Sequence, residues 1–265
     1  MVRFIFIVIC LFAGPLRAHE FWIAPLAYEI DADDPIVAQL RVGEKFEGAV
    51  QRYFPGQIER FEVRLQSRIE IPKSRLGDDP ALNHPAMGEG LVIVAHETTA
   101  ARLTYRKAET FPSFVTHKGR PDLVTEHIAR GLPEIEFKEY YTRFAKSLIS
   151  AGAGEGVDQT VGLRTEIVAL KNPYTDDLAD GLPVKVLYEG APRVNAFVEV
   201  FSRTPSDTIE VETFRTDAEG IAVLTMRPAT EYLVDAVMIL PLESSNLATE
   251  PVWESLWASL TFRTP

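Results

Sequence analysis

Cysteine is almost missing from this chain: the single one, Cys10, lies in a segment that reads as a cleavable leader. The exported protein would then have no disulfide and no thiolate for a metal, so its core alone must hold it together. Long hydrophobic runs are missing too. The longest, "FIFIVICLFAG", has about a dozen residues, and about 20 are needed to cross a bilayer. Positive charge is scarce, with 27 Lys and Arg against 38 Asp and Glu and a formal net charge of −11. That balance argues against nucleic acid or an anionic membrane as partner and suits cationic ligands. No G-x-S-x-G elbow, phosphate loop or dinucleotide fingerprint occurs. His96-Glu97 opens like a zinc-protease helix, yet Ala100 stands where the second histidine must be. "DPALNHPAMGEG" lacks the alternating ligands of a calcium loop. The hydrolase and kinase readings drop out, and the chain is expected not to be an enzyme.

What the chain does have begins at the leader. Arg3 gives a positive start, the apolar stretch follows, and "PLRA" ends in a small residue, which places a signal peptide over residues 1–18 and the protein in the periplasm. Cleavage after Ala18 removes Arg3 and Arg17, taking the formal charge to −13, and makes His19 the first residue. A free α-amine has a pKa near ~7.7–8, so a metal can displace its proton near neutrality. The amine nitrogen and Nδ1 of the same imidazole close a six-membered ring around an ion, and such donors suit Ni, Co, Cu or Zn. A third ligand must come from elsewhere; His96 is the candidate. Glu20 is placed to help by charge or by hydrogen bonds to the ligands. If the cut falls elsewhere, His19 is an ordinary residue near a chain end.

Three zones follow the leader. Residues 19–110 hold short segments rich in Val and Ile, such as "IVAQLRVGEKF" and "RFEVRLQSRIEI", which alternate as half-buried strands do. Residues 111–155 read as a helical insertion. "PDLVTEHIARGL" makes a short helix, and Phe137, Tyr141, Phe144 and Leu148 fall at offsets of 4, 7 and 11, one face of an amphipathic helix with Lys146 late in it. Over residues 156–265 the strand pattern returns in about seven segments joined by turns such as "DAEG", as in an immunoglobulin-like sandwich. The expected architecture is mainly β: two sandwich-like parts with the helical insertion between them. Of the remaining histidines, His84 and His117 read as solvated loop residues and His127 as a residue on the surface of the short helix. Trp253 and Trp257 read as core.

"AHEFWIAP", "LRVGEKFEG" and "RFEVR", then "YYTRFAKSLISAG", then "LPVKVLYEGAPRVNAFVEVF", "TDAEGIAVLTM" and "WESLWASLTF" run in order over nearly the whole mature chain. Together they resemble a family of exported bacterial proteins of unknown function described as a periplasmic component of nickel/cobalt uptake systems. The opening H-E/D-F-W and the closing W-E-S-x-W-A-x-L-T-F are its specific parts. The stretch from Leu182 to Leu240 is also similar to carboxypeptidase-regulatory-like β-sandwich domains, in which a T-D-x-x-G turn recurs. The resemblance implies a β-rich periplasmic protein that helps divalent transition-metal uptake, with a membrane metal transporter as partner. His19 carries over as the start of the mature chain. Members often have a histidine on the strand matching "VDAVMIL", where this chain has Val237 and Met238. Two other functions compete: a non-catalytic sandwich module that binds a component of the cell envelope, and a copper oxidase built on a histidine brace.

Overall fold

A strand buried on both faces loses the in–out alternation of composition that marks a half-buried one, and two such strands organise this fold. The computed structural model describes residues 19–265, so the leader expected over 1–18, with Cys10, lies outside the described residues. The first zone holds β1 (Glu20–Pro25), β2 (Glu29–Ile30), β3 (Ile36–Glu44), β4 (Glu47–Gln51) and β5 (Ile58–Leu65). It continues with β6 (Arg68–Glu70), β7 (Leu82–His84), β8 (Gly90–Thr98) and β9 (Ala101–Thr104). Two short helices, α1 (Thr110–His117) and α2 (Asp122–Ala129), precede the long β10 (Lys138–Ala151). Then come β11 (Thr165–Ala169), β12 (Leu182–Tyr188), β13 (Ala191–Pro192), β14 (Phe197–Arg203) and β15 (Ile209–Arg215). The chain finishes with β16 (Ile221–Leu224), β17 (Glu231–Pro241) and β18 (Pro251–Arg263).

The fold is mainly β, as expected, but its layers cross the expected zones. A ten-stranded sheet runs β15-β14-β17-β18-β10-β8-β5-β6, with β2 and β9 also on β10. Strands from all three zones share it. One four-stranded sheet holds β1-β3-β4 with β7, and another holds β11-β12-β13 with β16. On β8, Leu91 and Ile93 join the core under β11, β12 and β16, while Val92 and Val94 join the core under β1 and β3. On β10, Phe144 and Leu148 enter the first of these cores and Ala145 and Ile149 the second. Adjacent residues of a strand face opposite ways, so the large sheet is the shared middle layer, covered by a small sheet on each face. The two helices lie on the β1 side, where Phe111 and Phe114 pack with Trp253, Trp257 and Ile239.

The helix expected from the stripe Phe137, Tyr141, Phe144 and Leu148 does not form; residues 138–151 are strand β10. Its two faces are both buried toward the C-terminal end, so apolar residues occupy odd and even positions alike and imitate a helical offset. Pairing explains the choice: β10 lies parallel to β18 from Lys138 to Ser147 and antiparallel to β8 from Leu148 to Ala151. Of the expected helical insertion only α1 and α2 remain. Among the described residues no helix is long and apolar enough to cross a membrane.

β1 is held on the middle sheet by more than apolar contact. Ser259 Oγ and Thr261 Oγ1 of β18 donate to the carbonyls of Phe21 and Ile23, at 2.7 and 2.8 Å. The β3–β4 hairpin turns at Lys45 and Phe46, both with positive φ, a two-residue turn of the kind hairpins favour. This strained turn sends Phe46 inward against Trp22, Phe201 and Leu233. Gly43 and Gly48 permit it: a Cβ on Gly43 would lie 1.9 Å from the Glu47 carbonyl oxygen.

Candidate functional site

Charged side chains on the inner face of a strand need partners, because an unpaired buried charge is strongly disfavoured. Glu199 of β14 and Asp235 of β17 point to the β1 side of the middle sheet, and Glu20 of β1 points back at them. Lys118, just after α1, fills the space between. Its Nζ donates to Glu20 Oε1 at 3.0 Å, to Glu199 Oε2 at 2.9 Å and to Asp235 Oδ2 at 2.9 Å. All four are buried. The ammonium also sits 5.2 Å from the Trp257 ring, and His117 Nε2 lies 3.2 Å from Glu199 Oε1 at the solvent edge.

Three carboxylates within 4.8 Å of one another make the one group of three or more metal-ligating side chains among the described residues. Here the protein's own ammonium occupies the position a cation would take between them. Burial alone would pull Lys118 down, but the three carboxylates outweigh it and hold the ammonium above the ordinary lysine value. Burial raises Asp235 and lifts Glu20 to about 7, against the pull of Lys118. Glu199 goes the other way, to about 2, because His117 and Lys118 together overcome its burial. The cluster is a clamp: it ties the first strand, the helical layer and the middle sheet at one point.

Residues 16–239 match the family model described as Domain of unknown function (DUF4198). The chain belongs to the DUF4198 family. No curated protein matches it. A solved structure, that of a tetra-tandem repeat in the extending region of a large adhesion protein, aligns at 12% identity. It covers 92% of this chain and 49% of its own, with a TM-score of 0.21. The chain thus spans about half the length of that structure, and a TM-score so low leaves no shared fold to argue from.

In this DUF4198 chain the clamp fixes the residue beside His19. His19 is half-buried, and its Nδ1 is buried with no hydrogen-bond partner among the described residues. His96 lies in β8 with 1% exposure, and both its nitrogens lack partners. Phe21 and Phe61 flank its ring, with centroids at 5.1 and 5.0 Å. Burial pushes this imidazole down to about 3, which keeps it neutral. Arg143 of β10 lies 5.9 Å from the Phe21 ring, and its Nε is also unpartnered. With Glu20 Oε2, these residues supply five of the seven buried side-chain atoms left without a partner among the described residues. Neither His19 nor His96 belongs to the three-carboxylate group; Glu20 does.

Two histidines expected in solvent are buried, and for a similar reason. His127 is buried, not on the surface: its Nδ1 accepts from Trp253 Nε1 at 3.0 Å and its Nε2 bonds the Pro133 carbonyl at 2.9 Å. His84 is a buried residue of β7, not a solvated one, and its Nδ1 bonds the Pro85 carbonyl at 2.7 Å. In each case a proline carbonyl, one residue on from His84 and six on from His127, gives the ring a partner that makes burial tolerable. His117 closes α1 instead of lying in a loop, and its side chain is 56% exposed. Trp253 and Trp257 are buried, as expected of core residues. Lys118, Glu199 and Asp235 went unrecognised in the sequence. The available signal was a lone acid inside an apolar strand, in "FVEVF" and "LVDAVMIL".

Proposed function

We propose that this chain is an exported periplasmic protein that binds Ni, Co or Cu at the histidine left by cleavage after Ala18. It acts as a binding protein rather than an enzyme. The observation that carries this is the hold on Glu20, whose buried carboxylate meets Lys118 at 3.0 Å. A terminal histidine usually frays; one whose neighbour is clamped does not, so its amine and Nδ1 stay poised together. Support also comes from the orphaned Nδ1 of His19 and the two orphaned nitrogens of His96. A buried polar group left without a partner costs about 1–3 kcal/mol, and a bound ion would engage the lone pair of His19 Nδ1 and of one ring nitrogen of His96. His96 is the third nitrogen in this proposal. Glu20 fixes the terminus from the side facing Lys118. The resemblance to nickel/cobalt uptake proteins favours a membrane metal transporter as the recipient, with Leu182–Leu240 as a carboxypeptidase-regulatory-like sandwich that supports the site.

The test compares the properly trimmed protein, verified by intact mass, with a form carrying one extra residue before His19. Competition titration with Cu, Ni and Co should show a large loss of affinity in the extended form. Equal affinity in the two would end the proposal.

A second reading is a non-catalytic module that binds a component of the cell envelope. It is favoured by Ile69, Ile71 and Leu76, which are 53%, 74% and 71% exposed on and beside the edge strand β6. Protein purified without a metal-binding tag that is metal-free and carries a membrane component with it would favour this second reading.

A further inference from the structure

One cavity runs against the charge of the rest of the molecule. It encloses about 320 Å³ beside Lys118, between the end of the helical layer and the β13–β14 turn. Lys118, Arg120, Arg193 and Arg215 line it and no carboxylate does, in a chain of formal charge −11. Three of the four are provided for. Lys118 has its three carboxylates, Arg120 pairs with Asp122 at 2.8 Å, and Arg215 donates to the carbonyls of Asn195 and Gly119, each at 3.0 Å. Arg193 is not. Its Nη2 donates to the Val237 carbonyl at 2.9 Å, while its Nη1 is buried with no partner among the described residues. Burial pulls this guanidinium down to about 10; Asp235 behind it opposes that pull, without a hydrogen bond, and Arg120 adds to it.

The remaining wall is largely carbon. Phe197, Val237 and Met238 contribute to its lining, the last two from opposite faces of β17, and the Arg215 guanidinium lies 5.1 Å from the Phe197 ring. A guanidinium fork matches a planar carboxylate in geometry as well as charge, and a site of about 300 Å³ lies at the small end of those that take organic ligands. We propose that this cavity binds a small organic carboxylate, its anionic end at Arg193 and Arg215 and its apolar body against Phe197, Val237 and Met238. A bare inorganic anion would leave that apolar wall unused. The site shares no ligand with His19 or His96, so either site can fail without the other.

The test uses the full mature protein with hexanoate as probe, followed by calorimetry, with acetate, hexylammonium and inorganic phosphate as controls. Hexanoate should bind saturably and at least about tenfold more tightly than any control, given the free energy of burying its methylenes. Arg193→Gln should weaken it about tenfold or more through loss of a charge-assisted bond. Val194, 63% exposed in the cavity wall, gives a second variant: Val194→Trp should block hexanoate while leaving the thermal midpoint unchanged. Hexanoate binding no better than acetate or phosphate, or unaffected by both substitutions, would overturn the assignment.

Discussion

Lys118 and Glu20 stand 98 positions apart and meet at 3.0 Å, each with 2% of its side chain exposed. Through this contact the first strand of the described chain is tied to the helical layer, and through Glu199 and Asp235 to the middle sheet. Its loss should be felt in stability and in the placement of His19.

Lys118→Met would leave three carboxylates buried together without a counter-charge. The expected loss is about 3–5 kcal/mol at neutral pH, the usual result of breaking a buried ion pair from one side. Urea unfolding followed by tryptophan fluorescence reads it directly. A loss below about 1 kcal/mol would mean that water or protons already neutralise the cluster.

Glu20→Gln keeps the shape of β1 but weakens its hold on the ammonium. Affinity of the trimmed protein for Cu or Ni should fall about 10–100-fold, as is usual when a partner that orients a ligand is removed. Competition with a chromogenic chelator measures it. Unchanged affinity would separate the clamp from the metal.

Glu139 supplies a pH dependence remote from His19. It is buried, accepts from Tyr105 Oη at 2.6 Å and from Ser255 Oγ, and burial lifts it to about 7 against those bonds. Its folded value lies above the ordinary 4.5, so the native state binds the extra proton between the two. The stabilisation is present below 4.5 and is lost as pH rises through 7, to the extent of about 3 kcal/mol. Glu139→Gln mimics the protonated acid. Wild type and variant should be similar in urea at pH 4.5, and the variant should be the more stable at pH 8. Parallel stability curves across that range would refute the shift.

Phe144 and Tyr140 test the strand at residues 138–151. Phe144 is buried in the core under β11 and β12, so Phe144→Ala should cost about 3–5 kcal/mol. Tyr140 is 39% exposed, so Tyr140→Ala should cost under about 1 kcal/mol. Equal costs would be out of keeping with the burial of β10.

These residues also show how far the sequence could be read. "RFEVRLQSRIEI" alternates and gives β5 and β6 correctly, because one face of that hairpin is polar. β10 gives no such signal: its last eight residues are all buried, and the core-facing sets of its two faces interleave into an apparent helical stripe. Lys146, expected late on a helix, instead reaches Asp158 at 2.8 Å and Glu166 at 3.1 Å in the interior. The chemistry around Lys118 was illegible for a different reason. Its partners come from three strands at separations of 81, 98 and 117 residues, and no spacing within a segment encodes such a meeting. His19 and Glu20 drew attention in the sequence because a leader-like stretch is a local pattern.

The position of β18 has a consequence for folding. It is the last strand of the described residues, yet it joins β17 on one side to β10 on the other. Until it docks, the two halves of the large sheet have no common member, and β10 and β17 each present an open edge. Closure of such distant pairings is slow by nature, so the large sheet stays unlocked until β18 docks. A chain stopped before Pro251 would expose both edges to other molecules, and its fate would be aggregation rather than a smaller working protein.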